Sequence, residues 1–315
     1  MSEAGSEPLA ERWNGTTWSF EPMAFPSGFD FGFLTAVSCV SASVCVAIGI
    51  GDISSSGAFA FAERWNGRKW VIRRTPDRAA ARVSSLSGVS CVSATACTAV
   101  GSSFGRRIAV FTALAECWNG TRWVIQHTRD RHITGFIESS LAGVSCMSAT
   151  SCVAVGPLAL LRHGARWTIK RVVVPDSRGV TLAAVSCTSA RACTAVGSYF
   201  DLISRAYLTL AERWNGIRWA VQLTPSPPSI GPDLLGVSCA SATACTAVGR
   251  YYDGSLFENV PLAEAWNGTA WAIQPTPDIS SDGNGSLNAV SCRSATACWA
   301  VGSSESLGTL VERYS

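Results

Sequence analysis

Twelve of the thirteen cysteines fall into six C-x5-C pairs: Cys39/Cys45, Cys91/Cys97, Cys146/Cys152, Cys187/Cys193, Cys239/Cys245 and Cys292/Cys298. Thiols at that spacing could form disulfides, remain as small buried thiols, or contribute to zinc sites. Zinc needs four ligands gathered on each ion, whereas these pairs lie about fifty residues apart in a chain with three histidines, so no metal site is expected. Directly opposed residues on antiparallel strands can meet the Cα separation a disulfide requires, and that reading is preferred. Cys117 stands apart. It fills a place held elsewhere by arginine and has no flanking histidine or basic cluster to activate it as a nucleophile.

Carboxylates and aromatic rings also recur. Glu11, Glu63, Glu116, Glu212, Glu264 and Glu312 each stand two positions before an aromatic residue, and Arg12, Arg64, Arg213 and Arg313 follow four of them. Catalytic carboxylates would come singly or as one convergent pair, so a regular set is expected to make repeated inter-strand or inter-blade hydrogen bonds. The tryptophans of W-N-G-x-x-W, at Trp13/Trp18, Trp65/Trp70, Trp118/Trp123, Trp214/Trp219 and Trp266/Trp271, are read as packing rather than sugar-stacking residues. No G-x-S-x-G, H-E-x-x-H or phosphate-loop motif occurs. No catalytic residue or cofactor is therefore assigned. Gln126–His132 carries two of the three histidines beside Asp130, a spacing that does not suit a metal.

The residues with binding chemistry lie where the repeats differ. The connections after each A-V-G vary, and one of them carries Arg106 and Arg107. Two others place aromatic faces beside charges: Tyr199, Phe200, Asp201 and Arg205 in one, Tyr251, Tyr252, Asp253 and Glu258 in the other. Such pairs suit a carbohydrate or another polar ligand with an apolar face. At Gly156-Pro157-Leu158 the connection is cut short, which predicts a notch beside them.

The elements that position these residues follow from the repeat. Each copy reads V-S-C-x-S-A-x-x-C-x-A-V-G and then W-N-G-x-x-W, with a degenerate hairpin at Arg162–Trp167. In the second copy the segments Leu86–Cys91, Cys97–Gly101, Ala113–Trp118 and Trp123–Thr128 read as four strands. A five-residue loop joins the first two. An Asn119-Gly120 turn of type I′ is expected between the last two. One such sheet cannot bury both faces alone, so an all-β, six-bladed β-propeller of four-stranded antiparallel blades is predicted. Repeats begin near Leu34, Leu86, Leu141, Leu182, Leu235 and Leu287, making residues 1–315 one domain. Both ends carry the third-strand sequence, Leu9-Ala10-Glu11-Arg12-Trp13 and Leu310-Val311-Glu312-Arg313-Tyr314. Residues 9–22 are therefore expected to complete the last blade and close the ring.

These V-S-C-x-S-A-x-x-C-x-A-V-G and W-N-G-x-x-W units resemble the tandem repeats of secreted bacterial β-propeller proteins. The strand order is also similar to Asp-box propellers such as the sialidase-like and photosystem-assembly-factor-like families. Their S-x-D-x-G-x-T-W box is absent, so the resemblance implies architecture and carries no catalytic residue across.

Charged residues make up 15% of the chain, against about 25% in typical domains, and the formal net charge is +3. Neither a basic run nor an apolar stretch long enough for a membrane span occurs, so nucleic-acid partners and membrane insertion are not expected. The start, Met1 to Pro8, has neither the basic nor the apolar region of a signal peptide, while paired cysteines point to an oxidising, extracellular setting. The expected function is a non-catalytic binding or interaction module whose variable-loop face takes a glycan, peptide or protein. A propeller-type glycoside hydrolase or lyase acting at the same face, or a scaffold fragment of a larger exported protein, are the alternatives.

Overall fold

The computed structural model describes residues 8–53, 57–78, 81–105, 111–128, 139–172, 174, 176–227, 229–276, 284–305 and 308–314. All regular elements among them are strands. A short hairpin comes first, β1 (Ala10–Trp13) and β2 (Trp18–Glu21). The first sheet is β3 (Phe31–Ser41), β4 (Val44–Ile53), β5 (Gly57–Trp65) and β6 (Trp70–Arg73); the second is β7 (Ala81–Ser93), β8 (Ala96–Gly105), β9 (Phe111–Trp118) and β10 (Trp123–Ile125). The third is β11 (Gly143–Ser148), β12 (Ser151–Val155), β13 (Ala159–His163) and β14 (Arg166–Lys170); the fourth is β15 (Ser177–Ser189), β16 (Ala192–Asp201), β17 (Ala206–Trp214) and β18 (Trp219–Gln222). The fifth is β19 (Ile230–Ser241), β20 (Ala244–Asp253), β21 (Glu258–Trp266) and β22 (Trp271–Gln274), and the sixth is β23 (Gly285–Ser294), β24 (Ala297–Ser304) and β25 (Gly308–Tyr314). Within each sheet sequential strands pair antiparallel, and a single parallel bridge, Ala58 to Val83, links the first two sheets.

The chain divides into two compact units, Met1–Ala154 with Leu161–Thr168, and Val155–Leu160 with Ile169–Ser315. In the first unit Val46, Ile48 and Ala62 of the first sheet pack against Leu86, Val89 and Leu114 of the second. In the second unit Val196 and Ala211 pack against Leu234, Val237 and Leu262, and Val248 and Ala263 pack against Leu287 and Leu310. Leu86, Leu182, Leu234 and Leu287 hold one register position and are 0–1% exposed. Burying each is worth about 1.5–3 kcal/mol. Val37 is 61% exposed, although Val89 at the equivalent place is 9% exposed against its neighbouring sheet.

Cysteine spacing sets the first hairpin of every sheet. All six C-x5-C pairs are disulfides, Cys39–Cys45, Cys91–Cys97, Cys146–Cys152, Cys187–Cys193, Cys239–Cys245 and Cys292–Cys298, with Cα separations of 3.9–4.0 Å. That leaves none of those twelve sulfurs free as metal ligands. The serine before four of the first cysteines serves the neighbouring sheet: the amides of Cys91, Cys146, Cys239 and Cys292 donate to Ser38, Ser90, Ser186 and Ser238, each at 3.0 Å.

The second cysteine of each pair requires a correction. The expected five-residue loop would make it the first residue of its strand, yet Cys45, Cys97, Cys152, Cys193, Cys245 and Cys298 each stand one residue inside β4, β8, β12, β16, β20 and β24. Strand pairing resumes past the disulfide, for example between Ser93 and Ala96, and reduces the loop to a two-residue turn. The cause lies on the other side of the strand. Cys45, Cys97, Cys193 and Cys245 pair with Trp65, Trp118, Trp214 and Trp266, and Cys298 with Tyr314, so the third strand holds each of these residues in the ladder. Cys97, Cys152, Cys193, Cys245 and Cys298 are buried, and Cys45 is half-buried. Bridged sulfur has no proton to donate. The hydroxyls of Thr98 and Thr246 therefore donate to Cys152 Sγ at 3.5 Å and Cys298 Sγ at 3.4 Å in the neighbouring sheets. Cys152 and Cys298 thereby link neighbouring sheets, and none of the six second cysteines lines either of the clefts described below.

The Asn-Gly hairpins also differ from the predicted type I′ turn. Trp65 pairs with Trp70 and Trp118 with Trp123, leaving four residues in each loop. Only glycine takes positive φ there, for example 95° at Gly120. The asparagine side chain caps the loop: Asn119 Oδ1 accepts both Thr121 N and Arg122 N at 3.0 Å. The indoles lie across these hairpins with centroids 5.6–5.8 Å apart.

The glycine ending each A-V-G has a different task. At Gly249 a Cβ would overlap the Asp233 carbonyl, and at Gly197 that of Thr181, so the first two strands pass too closely for any side chain. Gly249→Ala is expected to cost about 2–3 kcal/mol of stability, measurable as a lower thermal midpoint. An unchanged midpoint would show that the strands separate freely.

Candidate functional site

All the predicted ligand residues but Arg205 lie on strands, and Arg205 sits in a short turn rather than a long loop. Tyr199, Phe200 and Asp201 end β16 and pair with Leu208, Tyr207 and Ala206; Tyr251, Tyr252 and Asp253 end β20 and pair with Val260, Asn259 and Glu258. Aromatic residues favour extended pleated backbone, so the second and third strands run on beyond the repeat and leave four-residue turns. The connection carrying Arg106 and Arg107 falls outside the described residues, as do Asp130 and His132. At Gly156-Pro157-Leu158 only three residues join β12 to β13.

Both aspartates are spent on their own turns. Asp201 Oδ2 accepts Ser204 N at 2.8 Å, and Asp253 Oδ1 accepts the Ser255 amide and hydroxyl at 2.8 and 2.6 Å. These bonds to Ser204 and Ser255 hold both carboxyls below their ordinary range. Arg205 and Phe257 complete the turns with φ near 60°.

Strand alternation then divides the set. Tyr251 shares its strand face with Cys245 and Ala247 and packs with the cluster that includes Val196 of the fourth sheet, so Asp253 and its cross-strand partner Glu258 face that way too. Phe200 lies on the Val196 face, with the Arg178 guanidinium 4.5 Å from its ring centroid and the Tyr207 ring edge-on at 5.2 Å. Tyr199 and Asp201 turn to the opposite side of β16, as Tyr252 does on β20. The eight residues form no single constellation.

Tyr252 instead shares a face with Arg250 and, across the ladder, Asn259. That face borders a cleft of about 370 Å³ between the fifth and sixth sheets, lined by Arg250, Asn259, Asn284, Ser286, Ser303 and Glu305 among others. Asn284 Oδ1 accepts Asn259 N at 2.7 Å and Asn259 Nδ2 at 3.1 Å. Among the described residues Asn259 Oδ1 and Asn284 Nδ2 take no other hydrogen bond, which leaves an adjacent acceptor and donor. Ser286 Oγ reaches Ser303 Oγ at 3.4 Å and donates to Asn288 Oδ1 at 3.1 Å. Asp233 pairs with Arg250 across β19 and β20; burial pushes its carboxyl up, while Ser198 and Arg250 draw it back. A guanidinium, two carboxamides and hydroxyls converging on one cleft can hydrogen-bond a polyhydroxylated ligand. A sequence signal for Arg250 existed: Ser102, Ser198 and Ser303 occupy the same place after A-V-G. Nothing in the sequence brings Asn259 and Asn284 together.

The repeated glutamates do not form the expected hydrogen-bond ladder. Glu63, Glu116, Glu212 and Glu264 are 0–1% exposed. Among the described residues, Glu63 Oε2 accepts Ala24 N, from the segment before β3, at 3.1 Å, and Glu312 Oε2 accepts the Tyr314 hydroxyl of its own strand at 2.6 Å. Neither oxygen of Glu116 or Glu212 has a partner among the described residues. Burial pushes Glu63 and Glu212 up to about 7. Glu116, which also feels Asp77, rises to about 8. Glu264 rises to about 7, held back by the Thr209 hydroxyl. Leu160 takes this place in the third sheet and is as buried. Cys117, the one free cysteine, meets Arg162 Nη1 at 2.8 Å, and burial pushes its thiol up despite that charge. A half-buried thiol of that kind is no activated nucleophile.

No protein-family model and no curated protein matches the chain. Solved structures do. A structure described as YCF48 bound to D1 peptide superposes at a TM-score of 0.56 with 11% identity, over 98% of this chain and 86% of that one. SapL1 lectin in complex with alpha methyl fucoside gives 0.52 with 13% identity, over 91% and 97%. The Hadza microbial sialidase Hz136 gives 0.54 with 10% identity, over 90% and 68%. The fold is a β-propeller. At these identities the likeness carries the propeller architecture alone. Within it, the extended β16–β17 and β20–β21 hairpins and the cleft share the blade edge away from the disulfide turns.

Proposed function

We propose that the protein is a non-catalytic, extracellular carbohydrate-binding propeller, taking its ligand in the cleft beside Arg250, Asn259 and Asn284. The reading extends to six blades, with residues 9–22 completing the last. Its principal support is the unspent donor and acceptor of the Asn259–Asn284 pair next to a guanidinium, chemistry that matches vicinal sugar hydroxyls. Tyr252, on the same face, is the ring best placed to flank a sugar. Six disulfides agree with an oxidising environment. Fucose lectins and a peptide-bound protein among the structural neighbours agree with a binding role.

A glycan array probed with wild type and with Asn284→Ala tests the proposal. Wild type is expected to mark a restricted glycan set that the variant no longer marks. Equal signals from both, or none from wild type, would refute it.

A further inference from the structure

The first unit contains a second cavity with different chemistry. It measures about 510 Å³, within the range of small-molecule sites, and Phe29, Phe59, Phe61 and Ile72 form its walls, with Arg74 and Asp77 at the rim. Its aromatic character belongs to the first sheet alone: where Phe61 stands, the other sheets carry Leu114, Leu210, Leu262 and Leu310, and where Phe59 stands they carry Thr112, Leu208 and Val260. Two further rings come from the segment before β3. Phe25 and Phe29 lie 6.0 Å apart and sit 6.2 and 6.1 Å from Phe61, each near edge-on. Gly51 makes room for them, since a Cβ there would overlap the Phe29 ring.

The rim adds charge to this apolar wall. Asp77 accepts the Ser84 hydroxyl at 2.6 Å, whereas the exposed Arg74 makes no ion pair among the described residues. An uncommitted guanidinium beside aromatic walls selects an apolar ring that bears an anion. We propose that this cavity is a binding site for a small aromatic carboxylate, its ring against Phe59 and its carboxylate on Arg74. This site is separate from the glycan cleft, shares no residue with it, and does not depend on it.

Titration of the full chain with 1-naphthoate and with the neutral 1-naphthamide, followed by calorimetry, tests the assignment. Naphthoate is expected to bind one-to-one. Arg74→Gln, a change at an exposed residue, should weaken naphthoate at least about tenfold and leave naphthamide unchanged. Phe59→Leu, with its fold checked by circular dichroism, should weaken both. Failure of wild type to bind naphthoate, or equal affinity in wild type and Arg74→Gln, would overturn the proposal; a loss of both ligands in Arg74→Gln would also contradict it, because the guanidinium would then not be reading the anion.

Discussion

Reduction of the six disulfides is expected to unfold the protein at room temperature. Each bridge closes a loop of about seven residues, worth roughly 2.4 kcal/mol by the chain-entropy relation. The six values do not simply add, yet even half their sum is comparable with a typical net stability of about 5–15 kcal/mol. The bridges also sit where the sheets join, since Ser38, Ser90, Ser186 and Ser238, each directly before a first cysteine, bond the neighbouring sheet. Losing the clasp therefore loosens the hairpin and the sheet-to-sheet contact together. Circular dichroism before and after reduction and alkylation should show loss of the cooperative thermal transition. A reduced protein that melts within a few degrees of the oxidised one would mean that packing alone holds the sheets.

Stability should also fall as pH rises from about 5 to about 8.5, the opposite of ordinary acid denaturation. Burial raises Glu63, Glu212 and Glu264 to about 7 and Glu116 to about 8, from 4.5. Between the two values the folded protein holds protons that the unfolded chain has released. The stabilisation is therefore complete below about 4.5 and is lost as pH climbs through 7 to 8. Asp201 and Asp253, whose carboxyls are held low, titrate below this window and do not disturb it. One pKa unit corresponds to about 1.4 kcal/mol, so the rise of Glu116 from 4.5 to about 8 alone corresponds to an effect on the order of 5 kcal/mol. Glu116→Gln, which stays neutral, should raise the thermal midpoint near pH 8 and flatten the profile. Leu160 in the third sheet shows that the position needs no charge. A profile that is flat or rising over this range, in wild type with Cys117 alkylated, would mean that the carboxylates find compensation in the folded state.

Much of the scaffold could be read directly from residue spacing. The cysteines located the first hairpin of all six sheets, and the paired tryptophans located the last hairpin of the first, second, fourth and fifth, because both are fixed by local cross-strand geometry. Where two signals competed, the reading slipped. The polar residues between the cysteines suggested an open loop, but the third strand draws Cys45, Cys193 and Cys298 into the ladder opposite Trp65, Trp214 and Tyr314. Asn-Gly suggested a two-residue turn, but the Asn119 carboxamide takes two amides and opens the loop to four residues. Tyr199 and Tyr252 were legible as departures from the repeat, yet their grouping was not. Once they lie on strands, alternation decides which residues share a face. The partners of Arg250 come from Asn259 and Asn284, twenty-five residues apart and joined only by the fold. The Phe25–Phe29–Phe61 cluster has no signal in the repeat pattern because two of its three rings precede the first repeat.

The central claim is that a glycan occupies the Arg250–Asn259–Asn284 cleft. Calorimetric titration of the strongest array glycan into wild type, Arg250→Ala and Tyr199→Phe tests it most directly. Arg250 is exposed at the cleft, whereas Tyr199 belongs to β16 of the fourth sheet and does not line it. Arg250→Ala should bind at least about tenfold more weakly than wild type, with Tyr199→Phe indistinguishable from it. Undiminished binding by Arg250→Ala, or a loss confined to Tyr199→Phe, would contradict the account and move the ligand to another face.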